Sequence, residues 1–151
     1  MAMMDSKSCA AWGLVLIRVG LAAVFISHGY AKLAHIDQTI AFFGSMGLAP
    51  FFAYLVGLVE LLGGLAMLLG VYTKYAGYLL AIVMFLAIVK MKFAMGFLMG
   101  WEFDLVLLLN ALAISWTGPG EYTIMKKSST LTSSRPTLMP LRRGMERTGR
   151  P

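Results

Sequence analysis

Two charged residues stand where charge is least comfortable. Arg18 interrupts an apolar stretch from Ala10 to Tyr30, and Glu60 interrupts another from Phe51 to Val71. A lone charge at the centre of a membrane helix costs about 2.5–3.5 kcal/mol, so such residues pair with one another or line a polar path. At 1.5 Å per residue, Arg18 is about 12 Å in from one side and Glu60 about 15 Å in from the other, which puts both near mid-membrane. Helical phase places Ala11, Ala22 and Gly29 on the Arg18 face, and Ala53, Gly57 and Gly64 on the Glu60 face. Small residues let membrane helices approach closely. The expectation is an Arg18–Glu60 ion pair inside the bundle. It either serves function or only fixes the register of two helices, since buried pairs add little net stability.

A second group gathers toward the other end of the spans. His28 and Lys32 are four apart and share a helix face, Lys92 closes the third span, and Glu102 and Asp104 open the fourth. Acid, base and cation meeting in a half-buried mouth suit proton transfer, or hydrogen bonding to a polar head group such as a quinone carbonyl. The competing reading is interfacial anchoring, with Lys90 and Lys92 reaching for headgroups and the carboxylates as counter-ions. His35 is expected at the surface. A bis-histidine haem site is not expected, because only His28 lies within or beside a span, and no metal-ligand spacing is present. Met84, Met91 and Met95 form a stripe that reads as packing. Asn110 reads as an interhelical hydrogen bond. No phosphate-binding glycine loop and no Ser/His/Asp arrangement occurs.

The elements that must hold these residues follow from composition. The chain has 151 residues, 59% of them hydrophobic and 13% charged, with a mean hydropathy of +0.77. A soluble domain this short could not hide so much apolar surface. Lipid as the outer solvent accounts for it, and the fold class expected is an all-α integral membrane four-helix bundle. The spans are read as Ala10 to Tyr30, Phe51 to about Val71 behind Pro50, Tyr75 to about Met95, and a fourth ending at Gly118-Pro119-Gly120. The uncharged part of the fourth, Leu105 to Thr117, covers only about 20 Å of a roughly 30 Å layer. Its helix is therefore expected to begin near Phe97, with Glu102 and Asp104 one or two turns inside. Ile36, Ile40 and Phe43 at helical spacing beside Asp37, Gln38 and Ser45 predict a short interfacial helix between spans one and two. Arg18 breaks the apolar run too early for a signal peptide, so the first span reads as retained.

The domain plan is thus an N-terminus over 1–9, a transmembrane domain over 10–122, and a basic tail expected to be disordered over 123–151. The net charge of +6 is concentrated there, in Lys126, Lys127, Arg135, Arg142, Arg143, Arg147 and Arg150. Positive flanks stay in the cytoplasm and meet anionic lipid, so both termini are expected there; this reading displaces a nucleic-acid role. The single cysteine, Cys9, removes intramolecular disulfide chemistry.

The order of these residues resembles the DoxX family of small bacterial membrane proteins. The likeness rests on Arg18-Val-Gly20, Phe25, His28-Gly29-x-x-Lys32-Leu33, Phe43, Gly47, Glu60-x-x-Gly63-Gly64, Gly70-x-x-Thr73, Glu102 and Gly118-Pro119-Gly120, over about residues 12 to 122. The family pattern often continues Ser-Leu-Asp after the Gly-Pro-Gly turn; Glu121 to Met125 departs from it, and the basic tail is an extension. The resemblance implies a multi-pass protein of the bacterial inner (plasma) membrane, with some relatives serving as membrane subunits of oxidoreductases such as thiosulfate:quinone oxidoreductase. On that basis Gly29, Gly57, Gly63 and Gly64 are packing positions. His28, Lys32, Lys92, Glu102 and Asp104 form a candidate polar pocket, and quinone is the candidate cofactor. With no haem, flavin or thiol motif, electrons would come from a redox partner protein, so the chain would not catalyse alone. A non-catalytic scaffold or assembly protein, and a small-solute or proton carrier that either forms a homo-oligomer or leaves a polar channel, are the alternatives.

Overall fold

Within lipid an apolar segment can satisfy its backbone only from within itself, so long uncharged runs become helices. The computed structural model describes residues 5–124 and is all-helical. The first four residues, and the basic tail from 125 onward, lie outside the described residues. The elements are α1 (Ser6–Ala34), α2 (Ile36–Ser45), α3 (Pro50–Leu69), α4 (Thr73–Ala87) and α5 (Glu102–Thr117). Four helical segments are long and apolar enough to cross a membrane: Ser6–Ala34, Pro50–Leu69, Thr73–Met95 and Phe97–Thr117.

α1 packs most extensively on α3 and α4 on α5, with α3 and α4 joining the two couples. The core where they meet includes Leu21, Phe25, Met67, Leu80, Ala111 and Ile114. The opposite faces expose Leu16, Leu62, Leu79, Ile82, Phe85, Val106 and Leu109, as a helix solvated by lipid does.

Glycines set the helix spacing. A Cβ on Gly29 would run into the main chain of Leu61 and Gly57. One on Gly64 would stand 2.9 Å from the Ile26 nitrogen, and one on Gly57 2.9 Å from the Leu33 side chain. Gly63 turns the other way and receives Leu80 of α4 at the same 2.9 Å. Gly77, which the sequence pattern does not single out, does this for α4 and α5 by admitting Ser115 and the Ala111 carbonyl.

The end of the third span and the start of the fourth both depart from continuous α-helix. Beyond Ala87 the chain widens into a π-turn over Ile88–Lys92, tightens over Phe93–Met95 and reverses at Gly96. Phe97–Trp101 contains two non-helical residues, Leu98 and Met99, the latter at φ +59°. Regular helix begins only at Glu102. Asn110 also differs from expectation: its Nδ2 donates to the Val106 carbonyl one turn back at 2.8 Å, within its own helix.

The expected Arg18–Glu60 ion pair is not formed. Arg18 is buried, and its guanidinium donates to four main-chain carbonyls: Nε to Met67 at 2.9 Å, Nη2 to Leu68 at 3.1 Å, and Nη1 to Pro119 at 2.9 Å and Tyr122 at 2.8 Å. The last carbonyls of α3 have no intrahelical donors. Gly70, in the left-handed region at φ +72°, lets the chain fold back so that its own N–H reaches Met67 and the Val71 N–H reaches Ala66. Arg18 completes Met67 and supplies Leu68, and the Ile124 N–H reaches Leu69 at 3.3 Å. Every carbonyl of that helix end has a donor, and the cation sits at the negative end of the helix dipole. The depth estimate fails because α1 has 29 residues, about 43 Å of helix. Counting from its start does not give its level relative to α3, which ends beside Arg18.

Candidate functional site

Glu60 finds a different partner. Lys32, one turn after His28 on α1, places its Nζ 2.5 Å from Glu60 Oε2 on α3. Near the same end Lys92, in the π-turn after α4, places its Nζ 2.7 Å from Asp104 Oδ2 on α5. Each helix couple is therefore tied by one lysine–carboxylate bridge. In both, the acid is withdrawn and the base is wetter: the Glu60 and Asp104 side chains are 3% and 7% exposed, against 25% for Lys32 and 34% for Lys92.

Both bridges open onto one cavity of about 470 Å³. Its walls are mostly apolar: Val24 and Phe25 from α1, Phe42 and Phe43 from α2, Phe52 and Val56 from α3, Met84 from α4, and Phe103 and Leu107 from α5. Its polar residues are His28, Lys32, Glu60, Lys90, Lys92 and Asp104. An apolar chamber of this size with a few convergent polar groups has the usual form of a small-molecule site. Glu60 and Asp104 line the same chamber, so the two bridges share one largely apolar surrounding.

The hydrogen-bond accounting leaves capacity for a ligand. An ammonium has three donors, and Lys32 uses one of its three on Glu60. Asp104 Oδ2 is buried and accepts no hydrogen bond; the Lys92 ammonium is close in charge terms but off the hydrogen-bonding line. This donor and acceptor set fits a quinone in both oxidation states. Carbonyl oxygens would accept from lysine, and quinol hydroxyls would donate to carboxylate. Among the described residues, no three His, Cys, Asp or Glu side chains gather closely enough to hold a metal ion.

Of the residues expected in the polar pocket, the structure brings together His28, Lys32, Lys92 and Asp104 and adds Glu60 and Lys90. Glu102 stays outside. Its Oε1 accepts from the Met99 N–H at 3.0 Å, capping the broken turn before α5, because regular helix starts there and phases its side chain away from the chamber. Arg18 is likewise remote, committed to the carbonyls at the other end. His28 is exposed and lines the cavity mouth. The aromatic wall of Phe42, Phe43, Phe52 and Phe103 is absent from the sequence reading as a site. Its signal is only that α2, a short amphipathic helix, carries two adjacent phenylalanines.

The family model described as DoxX matches residues 13–93. The Bacillus subtilis (strain 168) protein "Putative oxidoreductase CatD" is 38% identical over 106 residues, covering 70% of this chain and 79% of that protein. The Mycobacterium tuberculosis (strain ATCC 25618 / H37Rv) protein "Uncharacterized membrane protein Rv3486" is 34% identical over 132 residues, 77% of this chain and 81% of that one. No solved structure matches the chain. Family model, relatives and bundle agree, and the chain belongs to the DoxX family.

Proposed function

We propose that this chain is the membrane subunit of a quinone-linked oxidoreductase complex, with the cavity between its two helix couples holding the quinone head group. The observation that carries this reading is the pair of lysine–carboxylate bridges facing one apolar chamber. The printed name of the Bacillus subtilis relative supports the redox setting. Lys32 and Lys92 hold and polarise the ring oxygens, Glu60 and Asp104 hold protons beside them, and the phenylalanine walls exclude water and pack the ring. A bound quinone supplies two-electron, two-proton chemistry; the electrons come from a redox partner protein. The basic run after Lys126 supports a bacterial inner-membrane position with both termini in the cytoplasm.

Protein purified in mild detergent and extracted into organic solvent should yield ubiquinone or menaquinone approaching one per chain. The Glu60→Gln variant should bind added short-tail quinone about tenfold more weakly, or about 1.4 kcal/mol. Preparations free of quinone that bind none when it is added would remove the proposal. Stable co-purification of a specific partner without quinone, with charge-removing variants harming folding or assembly alone, would favour the scaffold alternative instead.

A further inference from the structure

A second, more open hollow of about 330 Å³ lies between the end of α1 and α2. It shares His28, Lys32, Phe42 and Phe43 with the main cavity. Its other polar walls are His35, Gln38 and Thr39. Thr39 pins α2 there, its hydroxyl donating to the carbonyls of Lys32 at 3.0 Å and His35 at 3.1 Å. The hollow is thus lined by two exposed histidines, two phenylalanines and the lysine that bridges Glu60. α2 contributes no ionisable side chain to it, and its one acid, Asp37, points away and is exposed.

We infer that this vestibule is the aqueous entrance by which protons reach Glu60, with His28 as the carrier past the Phe42–Phe43 wall. The inference rests on the proposed function only for the use to which the proton is put. His28 suits the step by position and chemistry. It is the imidazole that lines both hollows, it stands one helical turn from the Lys32 that bridges Glu60, and an imidazole nitrogen can both accept and donate a proton. Vestibule water gives a proton to the His28 ring. The resulting imidazolium passes it to the Glu60 carboxylate, directly or through one water, leaving neutral imidazole and a neutral carboxyl while Lys32 keeps its charge. The cavity gains one positive charge. Across from Glu60 the facing groups are Lys90, Lys92 and Asp104, and Asp104, already bridged to Lys92, holds the charge balance on the α5 side. His35 is exposed and lines only the vestibule, so it is a second site from which vestibule water can be protonated.

The test is a pH jump on the purified protein, following carboxyl protonation by time-resolved infrared spectroscopy. Loss of the band in Glu60→Gln assigns it. His28→Ala is expected to slow its appearance at least about tenfold, and millimolar imidazole is expected to restore the rate, which a purely structural role would not allow. Should that variant fold poorly, Gln38→Cys in a Cys9→Ser background, plugged with a bulky maleimide, is expected to slow the same band. Unchanged rates in both, or no Glu60 band at any pH the fold tolerates, would overturn the inference. The measurement needs no quinone. A chain that takes up protons through His28 yet binds no quinone would sink the proposed function alone, and the opposite pattern would sink this inference alone.

Discussion

The two ends of this bundle solve the same problem, a charge among apolar helices, in opposite ways. At the end where α3 closes on Gly70, one arginine meets only backbone: four carbonyls accept from it and every orphan oxygen of α3 is satisfied. At the other end, lysines meet carboxylates across a chamber, their ammoniums are a quarter to a third exposed, and one buried Asp104 oxygen accepts no hydrogen bond. A complete network rigidifies and leaves nothing for a ligand. An incomplete one is less stable and reactive. The contrast supports a structural role at the Arg18 end and is why the cavity is the proposed site.

The largest effect should come from breaking the closed end. Arg18→Ala removes four hydrogen bonds from a charged donor, each worth about 1.5–3 kcal/mol, and strands carbonyls of α3 and the Gly118–Tyr122 segment. The losses are not additive, and we expect about 4–6 kcal/mol lost in detergent unfolding followed by circular dichroism. Arg18→Lys should recover less than half, since an ammonium is a point charge where a fork is needed. Full stability in Arg18→Ala would erase the structural half of the comparison.

At the open end the ranking should reverse. Asp104→Asn is expected to cost only about 1–2 kcal/mol of stability, because Lys92 is already a third exposed and can swing its head to water. Affinity for a short-tail quinone should fall about tenfold, measured by calorimetry. A stability loss as large as that of Arg18→Ala, with binding unchanged, would make the bridges structural staples.

Glu102→Gln should do least. The side chain caps an exposed turn at 3.0 Å outside the chamber, so we expect under about 0.5 kcal/mol and unaltered quinone binding. A marked binding defect would show that the turn before α5 shapes the cavity more than its geometry indicates.

Much of this was legible in the residues. Four spans, a short helix led by Ile36, Ile40 and Phe43, and a stop at Gly118-Pro119-Gly120 follow from hydropathy, 3.6-residue spacing and the backbone chemistry of Gly and Pro. The polar face of His28 and Lys32 follows from their four-residue separation. Three things did not follow. The sequence pattern pairs Arg18 with Glu60 because carboxylates are visible in a sequence and main-chain carbonyls are not. The level of Arg18 depended on where α3 ends, which no count along α1 reveals. The placement of Lys92 opposite Asp104, with Glu102 turned away, depends on the π-turn over Ile88–Lys92 and the break at Leu98 and Met99. Neither has a pattern as regular as a helix.

The central claim is that the chamber between the helix couples, and not the lipid-facing exterior, is where the head group sits. Photoaffinity labelling with an azido-quinone, read by peptide mass spectrometry, tests it most directly. The account predicts adducts on the Phe42–Phe43, Met84 and Phe103 peptides, suppressed by excess unlabelled quinone and reduced in Glu60→Gln. Adducts confined to outward residues such as Leu16, Leu62 and Phe85, insensitive to competition, would contradict it.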